Sequence, residues 1–102
     1  MCGIIISNLE IPLSSYQYVK NRGPDHTNVI NYKNINFVHF LLHISGQKTL
    51  QPIVQEDIVC IFNGEIYNYR EIDPNALSDG PSIITCYKKY GEDFISHLDG
   101  EY

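Results

Sequence analysis

The sequence predicts an α+β domain, and three observations carry that prediction. Short apolar, β-branched runs at Gly3–Ser7, Ile35–Ile44 and Asp57–Phe62 read as strands. Towards the C-terminus, Ser82–Tyr90 and Glu92–Leu98 carry helix start and stop signals. At 102 residues, 43% hydrophobic and 19% charged, the chain has the size and make-up of one small globular domain. A chain of that length buries about two-thirds of its unfolded surface, enough for one core.

Taken in order, Gly3–Ser7 is expected to be a short buried strand. Ile11–Lys20 opens with Pro12 and Ser14-Ser15 and spaces Leu13, Tyr16 and Val19 helically, predicting a short helix. Asn21–Asp25 (Asn-Arg-Gly-Pro-Asp) breaks it with a turn. Asn28–Tyr32 reads as a weak strand, and the Lys33-Asn34 turn leads to the stronger one, Ile35–Ile44. Ser45–Thr49 is a polar loop that lacks the glycine spacing of a phosphate-binding P-loop, with Gln51-Pro52 at its far end. Asp57–Phe62 is apolar on both faces, which predicts an interior strand covered on both sides. It runs into Asn63-Gly64, which by itself reads equally as a hairpin turn. Ser78-Asp79-Gly80-Pro81 then places a capping residue before a first-turn proline, with Asp79 a candidate N-cap. The helix over Ser82–Tyr90 buries Ile83, Ile84, Tyr87 and Cys86, and Gly91 ends it. Glu92–Leu98, with acidic residues in its first turn, is a last short helix stopped by Asp99-Gly100.

Composition narrows the function classes. A net charge of -5 and the lack of a basic run argue against nucleic acid and anionic membrane as partners. The longest apolar stretch, Phe37–Ile44, is interrupted by His39 and His43 and is too short to span a bilayer. The Met1 end has no secretory signal. Three cysteines with no close pair argue against a disulfide framework or zinc cluster, so the chain is expected to be cytoplasmic, without metal or cofactor. A Cys/His metal module would need a Cys-x-x-Cys spacing that the sequence does not contain, and the His39-x-x-x-His43 pair falls in an apolar strand.

The residue with the sharpest chemistry is Cys2. It directly follows Met1, so loss of Met1 places a thiol and a free α-amine on one residue. A neutral amine can take the thiol's proton, making nucleophile and general base together, as an N-terminal threonine does with its amine. The alternative is an ordinary small residue that begins a buried strand. For His39 and His43 the expected role is packing or hydrogen bonding, and for Cys60 and Cys86 the core.

Three stretches, Met1-Cys2-Gly3-Ile4, Arg22-Gly23-Pro24-Asp25 and Asn63-Gly64-Glu65-Ile66-Tyr67-Asn68-Tyr69, are similar in order and spacing to the glutaminase domain of class II, N-terminal-nucleophile glutamine amidotransferases. Within that family the asparagine synthetase branch is the most similar. Gln51-Pro52, Ser78-Asp79 and Tyr90–Gly100 extend the likeness over residues 1–102. The resemblance implies antiparallel sheets flanked by helices, part of an αββα sandwich. It implies glutamine as substrate and a synthetase domain or chain as acceptor of the ammonia. Cys2 would form a γ-glutamyl thioester, while Asn63 and Gly64 would supply the oxyanion hole. Asp79 would bind the α-ammonium of glutamine, Glu65 and the backbone around Ile44 would line the pocket, and the Arg22–Asp25 turn resembles a mobile loop closing over substrate. Arg22 and Asp25 acting only to hold that turn is the simpler alternative.

Two features depart from the family pattern. The family's His-x-Arg-Leu-Ser-Ile run reads His39-Phe40-Leu41-Leu42-His43-Ile44 here, so Leu41 stands where an arginine would clamp the substrate carboxylate. Lys48, Arg22 and His43 are the possible substitutes. The sequence also ends at Glu101-Tyr102, where relatives continue into further strands, predicting exposed edges and self-association. The runner-up to a glutaminase is therefore an inactive, truncated remnant serving as an interaction module.

Overall fold

In the computed structural model, residues 1–44 and 46–102 are described, and the expectation of a polar loop at Ser45 lies outside them. The main sheet has three antiparallel strands, β1 (Gly3–Ser7), β2 (His26–Tyr32) and β3 (Ile35–Leu41), in the order β1-β3-β2. Strands β2 and β3 form a hairpin through Lys33 and Asn34, whose φ angles of 48° and 64° suit a two-residue turn with the right twist. Central β3 is the most apolar of the three and is buried from Phe37 to Leu41. It ends three residues short of the expected Ile44. Strand β1 pairs with it from Gly3↔Phe40 to Ser7↔Asn36, which holds Cys2 just beyond a fixed ladder.

The expected helix over Ile11–Lys20 is instead two 3-10 segments, Leu13–Tyr18 and Lys20–Arg22. Neither buries a residue, and Leu13 and Tyr18 are 79% and 80% exposed, so no packed stripe rewards a full α-helix. Tyr16 reaches the sheet edge-on to Phe40, with ring centres 5.3 Å apart. Gly23, next along, is buried where a Cβ would overlap the Phe40 carbonyl, so the turn lies directly on β3.

The Asp57–Phe62 segment does not become an interior strand. Only Ile58–Cys60 (β5) is paired, in a hairpin with β4 (Ile53–Gln55), and all three residues are half-buried. Its apolar character serves packing instead. An apolar cavity of about 380 Å³ has Ile58, Cys60 and Phe62 on one wall and Phe37, Ile84 and Phe94 on others. Cys60 is thus half-buried on the cavity wall rather than in the core, and partial burial pushes its thiol pKa up to about 11.

Beyond β5 the chain adds three elements that periodicity did not reveal. Glu65–Ile66 (β6) pairs with Gly100–Glu101 (β7), and Tyr69–Ile72 (α1) forms one helical turn. The main helix, α2, spans Asp79–Tyr90, three residues longer at its start than expected, and buries Ile83, Ile84 and Cys86. Tyr87 stays on the surface at 40% exposure. Gly91, at φ 61°, ends α2 with its N–H on the Tyr87 carbonyl. The last expected helix is a 3-10 segment, Gly91–His97, packed through an edge-on Tyr87–Phe94 pair. Among the described residues no helix is long and apolar enough to cross a membrane. The result is a mixed α+β fold of antiparallel sheets and helices.

Candidate functional site

Four segments arrive at one end of the main sheet. Cys2 precedes β1, Leu41 and Leu42 close β3, Asn63 and Gly64 follow β5, and Asp79 begins α2. All line one open cavity of about 780 Å³, whose rim also carries Met1 and Tyr102. Glu65 and Ile44 border it as well.

Cys2 is fixed from three sides. Its backbone N–H donates to Asn63 Oδ1 at 2.7 Å, and its carbonyl accepts from Arg22 Nε at 3.3 Å. Its sulfur accepts from the Leu42 N–H at 3.4 Å, which sets the direction of the thiol. Because Oδ1 of Asn63 is taken, the donor end of that amide, Nδ2, is turned outward towards the Met1 sulfur, 3.8 Å away. A donor is therefore held beside Cys2, as oxyanion chemistry requires. At Gly64 a Cβ would overlap the Glu101 carbonyl and Tyr102, so only glycine lets β7 approach here.

Two anchors hold this corner, Gln51 buried and Asp79 half-buried. Gln51, 7% exposed, accepts the Phe62 N–H on its side-chain oxygen at 2.8 Å. Its carbonyl accepts from Asn28 Nδ2 at 3.1 Å, which ties the approach to Asn63 back to β2. Asp79 is the second anchor. It is not the N-cap: Ser78 occupies that position without a capping bond, its hydroxyl paired with Thr49. The Asp79 carboxylate instead accepts the Ile66 N–H through Oδ2 at 3.0 Å, joining α2 to β6.

Arg22 contacts Cys2 and is not part of the described cavity wall. The Arg22–Asp25 turn is tied down twice: Asp25 N–H donates to the Leu41 carbonyl and its carboxylate accepts from His43 N–H at 2.7 Å. Leu41 is buried and lines the cavity, so the position opposite Cys2 is apolar. Of Lys48, Arg22 and His43, only His43 borders the cavity among the described residues. His39 lies in β3 at 1% exposure with no partner for Nε2 among the described residues. Burial, with His26 nearby, lowers its pKa to about 4. It is a core residue, as expected. Among the described residues no three His, Cys, Asp or Glu side chains gather as a metal cluster.

Sequence reasoning assigned no role to three contributors. The Leu42 N–H is a backbone group and leaves no signature. Gln51 stood out as the edge of a loop and, with Pro52, as part of the family likeness, and Arg70 only as the residue after the Asn63–Tyr69 run.

The model of the glutamine amidotransferase domain family matches residues 1–102. Asparagine synthetase [glutamine-hydrolyzing] 2 of Oryza sativa subsp. japonica is 32% identical over 98% of this chain and 20% of its own length. A probable asparagine synthetase [glutamine-hydrolyzing] of Dictyostelium discoideum is 31% identical over 100% of this chain and 22% of its own. An asparagine synthetase domain-containing protein of Drosophila melanogaster is 38% identical over 78% of this chain and 16% of its own. The chain thus spans about a fifth of the length of the first two relatives. No solved structure matches it. Matched from end to end by the family model and bearing the Cys2 and Asn63-Gly64 corner, the chain belongs to the glutamine amidotransferase domain family, on its asparagine synthetase-like side.

Proposed function

We propose that this domain is a glutaminase unit of an asparagine synthetase-like enzyme, with Cys2 as an N-terminal nucleophile. The observation that carries the reading is the Cys2 N–H to Asn63 Oδ1 bond at 2.7 Å, which puts the thiol residue and an amide donor at one corner of a cavity. After loss of Met1, the α-amine of Cys2 takes the thiol proton and Sγ attacks the side-chain amide carbon of glutamine. Asn63 Nδ2 and the Gly64 N–H stabilise the oxyanion. The C–N bond then breaks, the proton leaves with ammonia, and water hydrolyses the γ-glutamyl thioester to glutamate. Asp79 keeps Oδ1 for the substrate ammonium, while Glu65, Ile44 and Arg22 frame and brace the pocket. The ammonia passes to a synthetase domain or chain, the partner suggested by the names of the relatives.

On this reading residues 1–102 are the amino-terminal part of an N-terminal-nucleophile domain, their antiparallel sheets contributing to an αββα sandwich. The relatives' greater length supports it. Three free cysteines fit a cytoplasmic setting. A second reading, a non-catalytic binding module, draws on Leu41, which offers the cavity an apolar side chain where an arginine is expected.

The test is the intact mass of the purified protein before and after an electrophilic glutamine analogue, with Cys2→Ala alongside. The expected result is loss of Met1 followed by a single Cys2-dependent adduct, with ammonia released from glutamine. A folded, processed chain that forms no adduct overturns the hydrolase reading in favour of the binding module.

A further inference from the structure

Glutamine is a zwitterion, so a cavity that holds it must neutralise a carboxylate as well as an ammonium. The charges on this cavity are unbalanced. Glu65, Asp79 and Glu101 are acidic, and Leu41, buried and apolar, offers nothing to an anion. Among the described residues that line the cavity, Arg70 is the one lysine or arginine. Without it, the three acids would repel the α-carboxylate.

Arg70 is also prepared for that task. Its Nε–H donates to the Tyr69 hydroxyl at 3.1 Å, and its guanidinium carbon lies 5.4 Å from the Tyr69 ring centre. Tyr69 itself lines the cavity, and both residues sit in the one-turn helix α1 that follows the Asn63–Ile66 segment. Nε is occupied, so the two terminal nitrogens form the remaining donor pair, a fork matched to both oxygens of a carboxylate. No carboxylate of the described residues forms an ion pair with it.

We propose that Arg70, braced by Tyr69, receives the α-carboxylate of the amino-acid substrate in place of a cation at Leu41. The inference rests on the glutaminase reading for the identity of that amino acid. Asp79 and Arg70 then divide the two charges of one zwitterion between α2 and α1, and the side-chain amide is left to reach Cys2. Both ends of the substrate are recognised by elements that flank the oxyanion corner.

The experiment is calorimetric binding of L-glutamine and of L-glutaminamide, whose α-carboxylate is a neutral amide. It uses the Cys2→Ala chain, which binds without turnover, with and without Arg70→Gln. Arg70 is on the surface, and a thermal melt of each variant checks the fold. Arg70→Gln is expected to weaken glutamine binding about tenfold or more, the loss of a charge-assisted fork, and to leave glutaminamide binding within about twofold. Arg70→Lys is expected to fall between, since it keeps the charge and loses the fork. Equal weakening of both ligands, or no weakening of glutamine, overturns the role of Arg70 and leaves the glutaminase reading intact. Failure of the Arg70-containing chain to bind glutamine overturns both.

Discussion

Asn63 holds Cys2 by accepting its backbone N–H at 2.7 Å, so one side chain both positions the proposed nucleophile and presents a donor beside it. Asn63→Ala removes both contributions. On the processed chain, kcat for ammonia release is expected to fall by about 10²–10³ from loss of the oxyanion donor, with KM changed much less. Asn63→Asp keeps an acceptor for the Cys2 amine and loses the donor, so it is expected to fall equally far. Steady-state kinetics on both variants check this, and an Asn63→Asp enzyme with near-native kcat would remove Nδ2 from the mechanism.

Gln51 acts at one remove. Its buried side-chain oxygen takes the Phe62 N–H, and Gln51→Leu leaves that donor without a partner at a cost of about 1–3 kcal/mol. The same change loosens the segment carrying Asn63, so kcat is expected to drop while the Kd for glutamine stays near its native value. Urea unfolding alongside kinetics separates the two effects. A variant that loses stability and keeps kcat would make Gln51 purely a core residue.

His39 makes stability depend on pH. Its folded pKa of about 4 lies below the ordinary 6.5, so between those values the unfolded chain binds a proton that the folded chain refuses. Stability contributed by the neutral imidazole is therefore complete above pH 6.5 and is lost as pH falls towards 4. The full effect is up to about 3 kcal/mol, since each pKa unit corresponds to about 1.4 kcal/mol. Tm measured from pH 7 to 4.5 is expected to decline, and to decline less steeply in His39→Gln. Parallel slopes in the two proteins would assign the decline to other groups.

Much of this arrangement was legible in the sequence because it depends on local signals. The run Gly3–Ser7 announces β1, and with it the place of Cys2, and Gly91 marks the end of α2. The resemblance carried by Asn63-Gly64 and Asp79 brought distant residues to one cavity, a proximity that periodicity alone does not contain. What escaped were features decided by tertiary partners. Ile58–Phe62 is apolar throughout, yet these residues line a cavity and among the described residues pair only with β4, so the same composition that suggested an interior strand built a cavity wall. Leu13, Tyr16 and Val19 have helical spacing but none of them is buried, and the chain there settles into 3-10 turns. Asp79 has the sequence position of a cap, and the Ile66 N–H, thirteen residues back, claims its carboxylate.

Met1 and Tyr102 border the same cavity. Anything joined at Met1 withholds the Cys2 amine, whereas an affinity tag, a fluorescent reporter or further polypeptide joined after Tyr102 begins at the doorway of the site. Traffic of small molecules through that doorway is then governed by the neighbour as much as by the domain's own walls, and fusion partners become a means of tuning it.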